Sequence, residues 1–135
     1  MDRSGGCQCG AVRYTHQGAP RALFICHCRE CQKQSASAFG MSLWVPRAGL
    51  RVTQGTPRGW TRDADSGGRV RCYFCPDCGS RLWHEADPPD DMITIKAGSL
   101  DTPIDTTGAV HIWTSRKLPG IVIPPGARTF EQEPD

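Results

Sequence analysis

Seven of the eight cysteines in this 135-residue chain fall into three tight clusters, and no other feature constrains its folding as much. Cys7 and Cys9 flank a single residue. Cys26, Cys28 and Cys31 crowd into six positions, and Cys75-Pro76-Asp77-Cys78-Gly79 forms a knuckle. Two residues between thiolates let both sulfurs reach one tetrahedral ion while a tight turn runs between them. Gly79 permits positive φ or close backbone approach just past the second ligand. Disulfides are the competing use of so many cysteines, but they need an oxidising compartment. The opening Met1-Asp2-Arg3-Ser4-Gly5-Gly6 is polar and leads straight to Cys7 without a signal peptide. No apolar run approaches the ~20 residues of a membrane span. The expectation is a cytoplasmic protein, outside the membrane, whose reduced cysteines hold zinc.

One Cys-x-x-Cys pair cannot close a zinc site, so Cys75 and Cys78 need partners from elsewhere in the chain. Pairing them with Cys7 and Cys9 completes a four-thiolate site. Cys26, Cys28 and Cys31 then stand alone with an open position, the arrangement that permits catalysis at zinc. The residues leave a second arrangement open, in which Cys72, His27 or His84 fills the second site and both ions are structural.

Eleven prolines and fifteen glycines break the chain repeatedly, so short strands joined by turns are expected in place of long helices. The fold class that follows is mostly β, a complex of short antiparallel sheets organised around cysteine-bound zinc. Strands are expected at Ala11 to Tyr14, Ala22 to Ile25, Phe39 to Val45, Leu50 to Thr53, around Trp60, Arg69 to Phe74, Arg81 to Glu85, Met92 to Lys96, Val110 to Trp113 and Ile121 to Ile123. A short helix or helical turn is expected over Glu30 to Ala38, and a polar hairpin loop over Asp63 to Gly68. With no internal repeat and no linker, residues 1–135 read as one domain with frayed ends, Gln132 to Asp135 at the C-terminus. The formal charge of +2 becomes −1 once seven thiolates and two zinc ions are counted. No Lys/Arg stripe appears either, so no nucleic-acid partner is expected.

The residues around the cysteines resemble a known family. Gly6-Cys7-Gln8-Cys9-Gly10-Ala11-Val12-Arg13-Tyr14, Cys26-His27-Cys28-Arg29-Glu30-Cys31-Gln32-Lys33 and Phe74-Cys75-Pro76-Asp77-Cys78-Gly79-Ser80-Arg81-Leu82 are similar to the glutathione-dependent formaldehyde-activating enzymes, also called the GFA or centromere-protein-V-like domain. Ala97-Gly98-Ser99-Leu100-Asp101 and His111-Ile112-Trp113 extend the likeness over about residues 5 to 125. The resemblance implies an Mss4-like fold, a structural zinc on Cys7, Cys9, Cys75 and Cys78, and a catalytic, more labile zinc on Cys26, Cys28 and Cys31. It implies a carbon–sulfur lyase that condenses formaldehyde with glutathione to S-hydroxymethylglutathione, or acts on a related small thiol. A zinc-binding protein-docking module and a catalytically silent structural member are the alternative functions.

Glutathione carries two carboxylates, so cations are sought near the trio. Arg29 and Lys33 flank it, and Arg47 is within reach through the following strand. His27, between two ligands, is a candidate proton relay or second-sphere donor. Three positions depart from the family pattern. Ala36 replaces a frequent glycine, which predicts a less tightly curved backbone. Gly120 replaces a frequent tryptophan, removing an aromatic wall from core or pocket. Cys72 is an additional thiol near the knuckle.

Overall fold

The computed structural model describes residues 2–64 and 67–134. Short strands dominate it, as the density of chain breakers requires. β1 (Asp2–Gly6), β2 (Arg13–Gln17) and β5 (Leu50–Gln54) make a three-stranded antiparallel sheet, ordered β1-β2-β5. The other strands are β3 (Ala22–Cys26), β4 (Gly40–Pro46), β6 (Arg58–Asp63), β7 (Arg69–Phe74), β8 (Arg81–Asp87), β9 (Met92–Lys96) and β10 (Val110–Ile112). They form a seven-stranded sheet ordered β10-β3-β4-β9-β8-β7-β6. Its pairings are antiparallel except β10 on β3, which run parallel. The helix α1 (Arg29–Ser35) follows β3 directly.

Strand alternation builds the core. Leu43 of β4 faces Ile95 of β9, which faces Trp83 of β8, and Val45 faces Ile93. These side chains are buried together with Val12, Tyr14 and Leu82. Burying each such apolar side chain contributes about 1.5–3 kcal/mol. Tyr14 meets Trp83 edge-on at 6.2 Å, and its hydroxyl shares a hydrogen bond with Ser99 Oγ at 2.6 Å, so its polar end is satisfied. Cys7 and Cys75 belong to the same buried cluster, which ties one cysteine site to the core.

Several elements differ from the sequence expectation. Asp2–Gly6 is a strand that was not anticipated, because its glycines and polar residues carry no alternation signal. The expected strand at Ile121 to Ile123 does not form: the segment has no ladder, and Val122 is 82% exposed. Pro124 and Pro125, just beyond it, cannot donate to a partner strand. β10 stops at Ile112 because Trp113 takes a left-handed conformation at φ 54. The hairpin loop closes through Ala64 N to Gly68 O at 2.7 Å, while Asp65 and Ser66 lie outside the described residues. In the expected frayed tail, Gln132 O accepts from Trp113 N at 3.0 Å and Glu133 Oε1 accepts from Trp113 Nε1 at 3.0 Å. Asp135 is outside the described residues. Among those residues no helix is long and apolar enough to cross a membrane.

Candidate metal centres and the cavity between them

Two glycine-closed turns bring the first cluster together. In one, Gly10 N donates to Cys7 O at 3.2 Å, and in the other Gly79 N donates to Cys75 O at 2.8 Å. Both glycines sit at positive φ, 83 and 81, a conformation that costs a residue with a Cβ roughly 1–2 kcal/mol. The two turns face each other across the sheets. Cys7 Sγ is 3.6 Å from Cys9 Sγ, and Cys9 Sγ is 3.7 Å from Cys75 Sγ. All four sulfurs of Cys7, Cys9, Cys75 and Cys78 lie within 4.8 Å of one another. Tetrahedral zinc with Zn–S bonds of ~2.3 Å places its sulfurs about 3.8 Å apart, so this donor set fits the ion.

The surroundings of these thiols favour charge unevenly. Burial raises Cys7, but the Val12 backbone N–H, 3.2 Å from its Sγ, and the neighbouring sulfurs outweigh that and lower it. Cys78 is pushed down to about 5, first by the hydroxyl of Ser80 at 3.2 Å. Cys9 is helped by the Ala11 backbone but is pushed up to about 12 by the crowded sulfurs of Cys7, Cys78 and Cys75 and by burial. A cation is what allows all four to ionise together.

The second cluster is assembled locally. Cys26 ends β3, Cys28 is the N-cap of α1, and Cys31 lies in its first turn. Cys28 Sγ accepts from Cys31 N at 3.3 Å, so the cap bond fixes the Cys28 sulfur against the first turn that carries Cys31. The three sulfurs lie within 4.8 Å of one another. Hydrogen bonds from Cys26 and Cys31 lower Cys28, while contact with Cys28 and Cys31 and burial raise Cys26. Cys31 is raised too: a bond from Cys26 lowers it, but contact with Cys28 and burial prevail over that and over the positive charge of Lys96. Among the described residues no fourth Cys, His, Asp or Glu joins this group.

Cys72, His27 and His84 therefore stand apart from both clusters. Cys72 is fully buried on β7 opposite His84, and its sulfur accepts from Gln34 Nε2 of α1 at 3.5 Å. Burial raises its thiol. His27 is fully buried; its Nε2 and His111 Nδ1 are 3.0 Å apart and the two rings stack. That contact joins the end of β3 to β10.

A cavity of about 790 Å³ runs between the two clusters and reaches Cys7 on one side and Cys31 on the other. Its volume suits a small-molecule ligand. Phe39 and Met41 supply apolar wall, and Arg13, Arg81, Lys96 and Gln34 supply polar groups. Arg13 is committed to an ion pair with Asp101. Arg29, Lys33 and Arg47 do not line this cavity. Arg29 is exposed and bonds Gln32 on its own helix, and Lys33 is exposed. Arg47 donates from Nε to Glu85 Oε2 at 2.9 Å. Lys96 went unnoticed in the sequence, where it looks like the polar end of an alternating strand. The signal was its position opposite in phase to Ile93 and Ile95, immediately before a tight Ala97-Gly98-Ser99 turn.

Two departures also find their places. Ala36 takes the left-handed helix cap at φ 51, ψ 42, so the backbone curves as tightly as a glycine would allow, contrary to the expectation of a looser turn. Gly120 sits in an exposed turn with nothing within 4 Å of where a Cβ would stand, and it does not line the cavity.

The sequence profile of the family described as "Glutathione-dependent formaldehyde-activating enzyme" matches residues 2–116. The chain belongs to this family. The match spans both cysteine clusters and most of the cavity wall. A solved structure of a protein from Rhodobacter sphaeroides, a structural genomics target, aligns with a TM-score of 0.55. It shares 17% identity, with 94% of this chain and 98% of that chain covered, and so shows the same fold for this family member. No curated protein matches the chain.

Proposed function

We propose that the protein is a zinc-dependent carbon–sulfur lyase or thiol-adduct enzyme acting on glutathione and S-hydroxymethylglutathione or a related small thiol. The observation that carries this reading is a three-cysteine cluster whose Cys31 lines a cavity, with no fourth protein ligand among the described residues. In this reading Cys7, Cys9, Cys75 and Cys78 hold a structural ion, saturated by four thiolates. Cys26, Cys28 and Cys31 hold a more labile one with an exchangeable position.

When bound there, zinc supplies a positive charge that favours a substrate thiolate at neutral pH and polarises a nearby carbonyl. The chain does the rest. Thiols add to formaldehyde readily in water, so the protein's contribution is to hold the two reactants together and oriented. Phe39 and Met41 exclude water from one side of the cavity. Arg81, on its lining, is the group we assign to a substrate carboxylate, in place of Arg29, Lys33 and Arg47.

The test has two parts. Zinc per chain is counted in protein purified without chelator, and glutathione is then titrated while heat and metal release are followed. Formaldehyde consumption is measured alongside, and everything is repeated on Cys28→Ser. Two zincs per chain, thiol-dependent heat and turnover in the native protein, all reduced in the variant, are expected. One zinc, no thiol binding and behaviour identical to the variant would overturn the reading in favour of a docking or purely structural role.

A further inference from the structure

Lys96 is more than nine-tenths buried, yet its ammonium has a single hydrogen-bond acceptor among the described residues, Ser42 Oγ at 2.8 Å, and forms no ion pair. An ammonium carries three donors, and burying a cation with one neutral partner is costly. The remaining donors have the cavity to reach into, because Lys96 lines it. So does Cys31.

Gly40 shapes the space between them. It opens β4, where it pairs with Cys26 of β3. Its φ is not in the left-handed region, so backbone conformation does not require it. A Cβ at this position would stand 3.4 Å from Lys96 Nζ, 3.5 Å from Cys31 Sγ and 3.2 Å from Cys31 Cβ. The missing side chain therefore leaves a notch within contact distance of both the cation and the sulfur. Glycine within a strand is the residue that admits close approach of another group.

We propose that this notch is an oxyanion subsite, in which the Lys96 ammonium holds the oxygen of the thiol–aldehyde adduct. The inference rests on the thiol-adduct reading and adds a catalytic residue to it. As the adduct forms, a sulfur lone pair of the substrate thiolate makes the carbon–sulfur bond. The carbonyl π pair withdraws onto oxygen, and the negative oxygen is held by a Lys96 N–H. A proton from water then completes the hydroxymethyl group. In the reverse direction hydroxide takes that proton and becomes water, the carbonyl re-forms and the pair of the broken carbon–sulfur bond returns to sulfur. Lys96 gives up no proton in either direction and acts as a preorganised donor.

The probes are mercaptoacetate, whose carboxylate puts negative oxygen close to its sulfur, and the neutral 2-mercaptoethanol. Each is titrated calorimetrically into zinc-loaded protein. The native protein is expected to bind mercaptoacetate about tenfold tighter or more, the ratio that one charge-assisted hydrogen bond provides. The ratio is expected to fall close to one in Lys96→Met, with zinc content unchanged, and to shrink in Gly40→Ala, which keeps the lysine but fills the notch. In turnover, Lys96→Met should lower kcat more than it raises KM. A native ratio near one, or the same ratio in native protein and Lys96→Met, overturns the inference. If Lys96→Met loses zinc from the trio, Gly40→Ala decides, and an unchanged ratio there overturns it. If glutathione does not bind the native protein the proposed substrate falls, while the mercaptoacetate ratio still decides the role of Lys96.

Discussion

Cys9 Sγ lies 3.7 Å from Cys75 Sγ although 66 residues separate them in the chain. This contact joins the three-stranded sheet's leading turn to the knuckle between β7 and β8. A metal bound there closes a long loop, and its binding free energy becomes folding free energy. Cys75→Ser is predicted to give metal-poor protein that is largely insoluble, with any soluble fraction melting well below the native protein. Normal zinc content together with an unchanged melting curve would refute this.

Arg13 and Ser4 both donate to Asp101 and hold the cavity's outer wall to β1 and β2. The Arg13 guanidinium, followed by Ser4, pushes the Asp101 carboxyl down to about 2 from an ordinary 3.8. A depressed carboxyl adds stability that is present above its unfolded value and is lost as pH falls from about 4 toward about 2. Asp101→Asn is predicted to melt slightly lower at neutral pH and to lose less on acidification through that window. Parallel pH–melting curves for the two proteins would contradict the prediction.

His84 is buried, and its Nε2 has no hydrogen-bond partner among the described residues. Burial first, then the charges of Lys96, Arg62 and Arg81, lowers its pKa well below the ordinary 6.5. The unfolded chain takes up a proton there that the folded chain refuses, so stability present above about pH 6.5 falls as pH drops below it. Between about pH 7.5 and about pH 5.5 this group alone should cost about 1 kcal/mol. His84→Gln is predicted to remove that increment from denaturant unfolding compared at the two pH values. An equal pH dependence in the variant would show that His84 does not contribute.

Ala36 holds a left-handed conformation that glycine adopts freely. Ala36→Gly is therefore predicted to stabilise the protein by about 1 kcal/mol, without altering zinc content. A lower melting temperature in the variant would mean that the alanine methyl packs more usefully than its backbone strain costs.

Much of this was legible in the sequence because it depends on covalent spacing. A one- or two-residue gap between cysteines limits where their sulfurs can go, so each local cluster was readable, while the meeting of Cys7 and Cys9 with Cys75 and Cys78 is a tertiary contact. Alternation placed Leu43 and Val45 on a buried face because a strand's side chains repeat every two residues. The density of proline and glycine likewise excluded long helices. Only the tertiary structure could decide which distant groups meet those local units. Strand register carries Lys96 beside Ser42, and the Gly40 gap sets it across from Cys31. Arg47 is drawn off to Glu85, and Cys72 is placed under Gln34, away from both clusters. Pairing of strands far apart in the chain depends on the whole packed sheet, and no short-range pattern records it. The sequence by itself thus determined the cysteine clusters that could hold a metal, and the packing of the sheet determined which cation, and which missing side chain, lie beside one of them.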